Sequence, residues 1–222
     1  MISAFFDFDG TLYTGHIWRD LVGHHWRAKR HRRWVVAYLA RNMAPIPLYK
    51  LGLIDRASYF RTWGETMAWL VRGWPIEEGQ DLFERLTDKL ILPNLRREAL
   101  DRLRDHQAKG HLVGLVSGTF APWLATVASR LEVPHAIGTP LETQEGRYTG
   151  RIIPPLCQDH DKLLRIQQSA TGQGIEIDWD ASYAYGDRVS DIPLLAQVGH
   201  PVAVSPEPDL LAHAQAAGWP VL

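Results

Sequence analysis

The sequence predicts an α/β protein: a parallel-sheet core with helices on its faces, interrupted immediately after its first strand by a block of helices. Three observations carry this reading. A short apolar run at residues 3–8 ends on "DFDGT", with Asp7 and Asp9 one residue apart. Residues 16–91 then show only helical patterns. From Pro93 onward, helical periods alternate with short apolar runs, which is the texture of strands joined by crossover helices.

Residues 3–8 are short and apolar enough for a buried strand. The helical block that follows is broken at Pro45-Ile46-Pro47 and again at Gly73-Trp74-Pro75. Asp55 suits the N-cap of a helix through "RASYFRTWGETMAWLV", and Pro75 suits the opening of the next. "NLRREALDRLRDHQAKG" reads as a helix closed by Gly110, followed by the strand "HLVGLVSG" and the helix "APWLATVASRLE". Further strands are expected at "ASYAYGD" and "PVAVS", with helices around 160–171, 190–197 and 208–217. "LETQEGRYTGRI" differs: two short runs around Glu145-Gly146 predict a β-hairpin. The implied division is a core of residues 1–14 plus 92–222 and a helical insertion of residues 15–91.

The composition is that of a globular chain, with 45% hydrophobic and 22% charged residues in 222, and it excludes disorder. Cys157 stands alone, so no intramolecular disulfide can form, and no Cys/His spacing resembles a zinc site. The formal net charge of -1 gives no global sign of nucleic acid. The cations are nevertheless concentrated: His16 to Lys50 holds eight Arg and Lys against one acid, Asp20. The longest apolar run, "WVVAYLA" at 34–40, falls well short of the roughly 18 residues that span a bilayer. The N-terminus lacks a cationic leader and meets an acid at Asp7, so no signal peptide is expected. These features predict a soluble, cytoplasmic protein with no transmembrane segment and no nucleic-acid partner.

In an open α/β sheet, ligands bind beyond the carboxyl ends of the strands. Three predicted strands end there in polar clusters: Asp7-Phe8-Asp9, Ser117-Gly118-Thr119, and Gly186-Asp187 running on to Asp191. Strand alternation turns Phe8 away and leaves Asp7 and Asp9 on one side. Like charges so close call for a cation, and carboxylate oxygens suit Mg²⁺. Ser117 and the amides of Gly118 and Thr119, ahead of a helix start, can donate to phosphate oxygens. The chain has five lysines, and Lys162 is the only one after Lys109. Placed at a helix start between the second and third clusters, its ammonium can offset charge on a transferring phosphoryl group.

Taken together and in order, "DFDGT", "SGT", Lys162 and "GDRVSD" resemble the four motifs of the haloacid dehalogenase superfamily of phosphohydrolases. The helical insertion after the first motif resembles the subfamily that contains phosphoserine phosphatases and some histidinol-phosphatases. The resemblance implies a Rossmann-like core with a mobile helical cap, Mg²⁺, and an aspartyl-phosphate intermediate. It makes Asp7 the nucleophile and Asp9 the general acid/base. Ser117, Gly118, Thr119 and Lys162 become the phosphoryl-binding groups. Asp7, the backbone carbonyl of Asp9, Asp187 and Asp191 become the metal site. A small phosphorylated metabolite is then the expected partner.

Each feature has a plainer rival. An aspartate pair at a strand end is often a turn or cap, a Ser-Gly-Thr step is an ordinary strand-to-helix turn, and a single lysine usually lies on the surface. Six of the nine tryptophans fall in the insertion, where a packed helical core explains them better than base stacking. The basic stretch "HHWRAKRHRRWVVAYLARN" reads as a solvated helix face or as an amphipathic, anion-attracting surface. Besides phosphatase action, phosphotransfer as in mutases of the superfamily and a non-catalytic anion- or membrane-surface module remain open. In phosphoserine phosphatases of this subfamily, the position seven residues after the second motif aspartate is a glutamate that grips the substrate amino group; here it is His16. Asp20 lies one turn further and can partly replace that acid, while Arg61 matches the arginine that grips the carboxylate. The expectation is that L-phosphoserine is not the preferred substrate, histidinol phosphate being one alternative.

Overall fold

The structure, a computed structural model, describes residues 1–222. The chain begins with β1 (Ser3–Phe6), all four of whose residues are buried. A segment without strands follows: α1 (Ile17–Arg27), α2 (Arg32–Met43), the short α3 (Ile46–Lys50), α4 (Arg56–Thr66) with a 3-10 turn to Val71, and α5 (Ile76–Leu86). Then come α6 (Arg97–Ala108), β2 (Leu112–Phe120), α7 (Ala121–Arg130), β3 (His135–Thr139), β4 (Leu141–Gln144), β5 (Arg147–Ile152) and α8 (His160–Gly172). The chain closes with β6 (Tyr183–Gly186), α9 (Ile192–Leu195), β7 (His200–Ala203) and α10 (Pro208–Ala217). No helix is long and apolar enough to cross a membrane.

The five core strands pair in the order β3-β2-β1-β6-β7, all parallel. This is the α/β parallel-sheet core that the alternating texture predicts. β1 lies in the middle, with Phe6 beside Leu115 on one side and Tyr185 on the other. A central strand is covered on both faces, which is why "SAFF" carries no polar alternation. Its only polar side, Ser3, is matched by Ser182, whose hydroxyl accepts the Ser3 N–H at 2.9 Å.

Local signals place several boundaries. The Asp55 carboxylate accepts the Ser58 N–H at 2.8 Å and caps α4 as expected. In the hairpin β4–β5, Glu145 and Gly146 have φ of 50° and 73°, the two left-handed residues of a tight hairpin turn. β3 was not legible in the sequence. "HAIGT" is an edge strand with three of its five positions only half-buried, so it lacks a buried strand's apolar run.

The helical insertion does not stand apart from the sheet. A single cluster of 33 buried residues runs from Ala4 and Phe6 in β1, through Leu21, Tyr38 and Leu70, to Trp123 and Tyr148. The end of the insertion packs against core helix α7: Phe83 of α5 stacks on Trp123 at 5.1 Å, and the Trp123 indole donates to the Thr87 hydroxyl at 3.1 Å. The hairpin is tied to the same region by its backbone. Gly73 donates to the Tyr148 carbonyl at 2.7 Å, and Ile76 donates to that of Gly146 at 3.0 Å. Residues on both sides of position 91 therefore share one packed cluster. Trp74–Ile91 is seated on the core, while α1–α4 form the part that overhangs the strand ends.

Two expectations follow from this packing. Trp123 is fully buried, so Trp123→Ala should lower stability by about 3–5 kcal/mol in urea unfolding. His106 is buried between the Tyr185 hydroxyl, 2.9 Å from Nε2, and His111, 2.8 Å from Nδ1. Burial lowers its pKa to about 4, with His111 adding to the effect. The unfolded chain then binds the proton first, so this histidine's contribution is lost as pH falls from about 6.5 toward 4. Between pH 7 and pH 5, Tm should fall further for the natural protein than for His106→Gln.

Candidate active site

The carboxyl ends of β1, β2 and β6 meet, as the open-sheet rule requires. The Asp7 N–H donates to the Tyr185 carbonyl at 2.9 Å, so Asp7 is the last residue held in sheet register before the chain turns out. A tight loop then closes, with Tyr13 donating to the Phe8 carbonyl at 2.9 Å and Gly10 to that of Tyr13 at 2.7 Å. Phe8 points into the core and is fully buried. Gly10 sits at φ 93°, and a Cβ on it would stand 2.2 Å from Asp187 Oδ2. Only glycine meets both conditions, so "DFDGT" needs its fourth residue as much as its carboxylates.

Lys162, in the first turn of α8, reaches between two strand-end carboxylates. Its ammonium ion-pairs with Asp7 and donates to Asp191 Oδ1 at 2.6 Å, and all three side chains are at most 8% exposed. Burial alone would lower the lysine pKa, but Asp191 and Asp7 hold it above its ordinary value. Asp191 is also the organiser of its turn. Its Oδ2 accepts the N–H groups of Asp187 at 3.2 Å and Arg188 at 3.1 Å. Asp187 in turn accepts the Thr11 hydroxyl at 3.0 Å.

One ligand oxygen from each of Asp7, Asp187 and Asp191 can be chosen so that all lie within 4.8 Å of one another. Burial raises the pKa of Asp7 despite the opposing Lys162 ammonium, and burial with the charges of Asp7 and Asp191 raises that of Asp187, which Arg188 only partly offsets. Three buried carboxylates with one ammonium between two of them form an oxygen-only set short of positive charge. That donor set fits a hard divalent cation such as Mg²⁺.

Asp9 faces a different direction. Its Oδ1 accepts the Ile17 N–H at 3.1 Å, at the start of α1, and its Oδ2 accepts the Thr119 hydroxyl at 3.4 Å. Burial pushes its pKa up to about 7. Thr119 is positioned by Ser117, whose Oγ accepts the Thr119 N–H at 3.2 Å and donates to Thr119 Oγ1 at 3.2 Å. Gly118 lies between them at the end of β2, ahead of α7. Cys157 is buried nearby, but burial holds its thiol at about 11, which makes it a poor nucleophile.

These groups form the floor of a cavity of about 610 Å³ roofed by α1–α4. His16 lines it, and the His16 ring contacts the Arg188 guanidinium at 3.4 Å from Nδ1. Asp20 and Arg61 do not line it. The Tyr13 hydroxyl donates to Asp20 at 2.8 Å. Arg61 instead pairs with Asp161 at 3.1 Å and Asp159 at 3.8 Å, holding α4 to the start of α8. Sequence reading missed Arg188 and Arg56. Arg188 lies inside the quoted "GDRVSD" and was legible as a cation among acids. Arg56 was not, because its partners Glu207 and Asp209 lie some 150 residues away.

A model of the haloacid dehalogenase-like hydrolases matches residues 4–196. A probable phosphatase of Mycobacterium tuberculosis strain H37Rv is 29% identical over 150 residues, 68% of this chain and 51% of that protein. The chain thus aligns with about half the length of that relative. The phosphoserine phosphatase SerB1 of the same organism is 28% identical over 223 residues, 99% of this chain and 70% of its own. The solved structure of a Bordetella pertussis Tohama I protein with unknown function superimposes with a TM-score of 0.82 at 31% identity, over 100% of this chain and 98% of that one. With the family model spanning most of its length and the three polar clusters gathered at the strand ends beside Lys162, the chain belongs to the haloacid dehalogenase-like hydrolase family.

Proposed function

We propose that the protein is a Mg²⁺-dependent phosphomonoesterase that works through a phosphorylated aspartate. The observation that carries this is the buried Asp7–Lys162–Asp191 arrangement facing Asp9 and Ser117 across one cavity. A carboxylate oxygen of Asp7 attacks phosphorus, and the ester P–O bond breaks. Asp9 delivers its proton to the departing alkoxide. As a carboxylate it then takes a proton from water, whose oxygen attacks the phosphorus of the acyl phosphate, releasing orthophosphate and restoring Asp7.

Lys162 and the Ser117 hydroxyl, with the Gly118 and Thr119 amides, hold the phosphoryl oxygens and meet the charge that grows on them. Thr119 and the Ile17 amide keep the Asp9 side chain directed to the leaving group. Asp7, the Asp9 carbonyl, Asp187 and Asp191 would hold the divalent cation, which when bound screens an anionic nucleophile from an anionic ester. The family membership and the phosphatase names of the relatives support this reading.

Asp7→Asn removes the attacking oxygen while keeping the side-chain shape, so turnover of an aryl phosphate should drop by at least about a thousandfold with an unchanged circular dichroism spectrum. Near-normal turnover would exclude a covalent aspartyl intermediate. Asp9→Asn should slow alkyl phosphates by about 10²–10⁴ and aryl phosphates less, because a phenolate leaves without help. A second measurement addresses the metal. EDTA should silence the protein and Mg²⁺ should restore it, and Asp187→Asn should raise the Mg²⁺ concentration needed for half-activity. Full turnover in EDTA would remove the metal from the reading.

A further inference from the structure

The roof of the cavity is an aromatic wall edged by three cations, of which Arg19 lies over the Trp18 ring and Arg56 is paired with Glu207 and Asp209, while Lys50 stands on α3; it offers no carboxylate. Trp18, Tyr38, Tyr49, Phe60, Trp63 and Met67 line it, all from α1–α4 and the turn after α4. Several are locked into a wall by their own stacking. Tyr49 lies parallel to Tyr59 at 4.6 Å, and Trp63 meets Trp18 at 5.2 Å and Tyr38 at 5.4 Å. The acids that line the cavity, Asp7, Asp9, Asp159, Asp191 and Glu207, all come from outside the helical segment. His16 stays neutral, its pKa lowered to about 4 by burial and by Arg188. Asp20 and Arg61 are committed elsewhere, as described. No helical-segment carboxylate therefore meets an ammonium, and the arginine matched to carboxylate recognition faces Asp159 and Asp161.

The size agrees with the chemistry. A cavity of about 610 Å³ belongs to the range of about 300–1,000 Å³ that buries drug-sized ligands, far more than a three-carbon amino acid occupies. Apolar side chains are also exposed on and after α3. Tyr49 and Lys50 line the cavity on α3, and the neighbouring Leu48, Leu51 and Leu53 are 46%, 73% and 71% exposed.

We infer that the substrate is an amphiphilic phosphomonoester, its phosphate on the aspartate floor and an alkyl chain of roughly eight carbons or more along the aromatic roof toward α3. This rests on the phosphomonoesterase reading. The chemistry is unchanged: the ester P–O bond breaks, the apolar alcohol leaves with the proton from Asp9, and the oxygen of water ends on orthophosphate.

The test is a series of n-alkyl monophosphates from ethyl to dodecyl, kept below micelle-forming concentrations, beside p-nitrophenyl phosphate and L-phosphoserine. kcat/KM should rise about two- to fourfold per methylene until the chamber is full, since each buried methylene adds its transfer free energy. Decyl phosphate should exceed L-phosphoserine at least a hundredfold. A flat series, or L-phosphoserine above decyl phosphate, overturns the inference while p-nitrophenyl phosphate is still hydrolysed. Loss of all turnover, p-nitrophenyl phosphate included, would strike the phosphatase reading instead. The chamber is then still tested by binding of non-hydrolysable alkylphosphonates, read by tryptophan fluorescence. Dodecylphosphonate should bind at least a hundredfold tighter than ethylphosphonate, and equal affinities overturn the inference. Ala57→Trp, which fills the chamber from an exposed position on α4, and Phe60→Ser should each cut the decyl-to-ethyl ratio of kcat/KM at least tenfold. An unchanged ratio in both folded variants also overturns it.

Discussion

The ammonium of Lys162, buried between Asp7 and Asp191, is the constraint on which the strand-end site depends. Removing an ion from water costs several kcal/mol even after the protein relaxes, so it persists only where its partners are fixed in place. Here the three charged groups come from three separate places: Asp7 from the end of β1, Lys162 from the first turn of α8, and Asp191 from the turn after β6. Both aspartates are fixed by further hydrogen bonds to the backbone. Asp7 is held by β6, and the Asp187 and Arg188 amides grip Asp191. The sheet order β2-β1-β6 thus becomes an electrostatic requirement as well as a packing outcome. Gly10 completes the argument, because any side chain there would push Asp187 out of the cluster.

The overhanging helices are placed by two kinds of force acting at opposite ends. At their base, the shared apolar cluster and the backbone bonds from Gly73 and Ile76 to the hairpin make α5 and the sheet one body. At the far side of the cavity, α4 reaches the core through ion pairs: Arg56 with Glu207 and Asp209, and Arg61 with Asp159 and Asp161. These pairs are partly exposed, and exposed pairs contribute little each. The roof is therefore held chiefly by the apolar cluster that α1 and α2 share with β1, and the ion pairs of α4 close its far edge.

The sequence was legible where local physics dictates structure. Apolar runs ending in carboxylates placed β1 and β6, Asp55 marked a helix start, and Glu145-Gly146 marked a hairpin. Each of those signals is completed within a few residues. What was not legible depends on distant parts of the chain. β3 is an edge strand whose apolar neighbours come from β2, so its own five residues carry no strand texture. Arg61 falls where a substrate-gripping arginine is expected, but its direction is set by Asp159 and Asp161, 98 and 100 residues further on.

The basic stretch near the start of the insertion shows how charge and aromatic content belong to one device. Arg30 lies over the Trp74 ring at 5.2 Å and pairs with Glu78 at 2.6 Å, while Arg32 lies over Trp26 at 5.0 Å. Arg33 and Arg72 both approach Trp34, at 5.6 Å and 4.7 Å. A guanidinium stacked on an indole keeps its edge in water while its face covers apolar surface. The tryptophans of the helical segment therefore divide between two tasks. Trp26, Trp34 and Trp74 are matched to arginines. Trp18 carries Arg19 over its ring at 5.2 Å, yet with Trp63 it also lines the cavity. Arg19, Arg30, Arg32 and Arg33, half of the cations between His16 and Lys50, are thus stacked on indoles, and only the Trp18 stack borders the chamber.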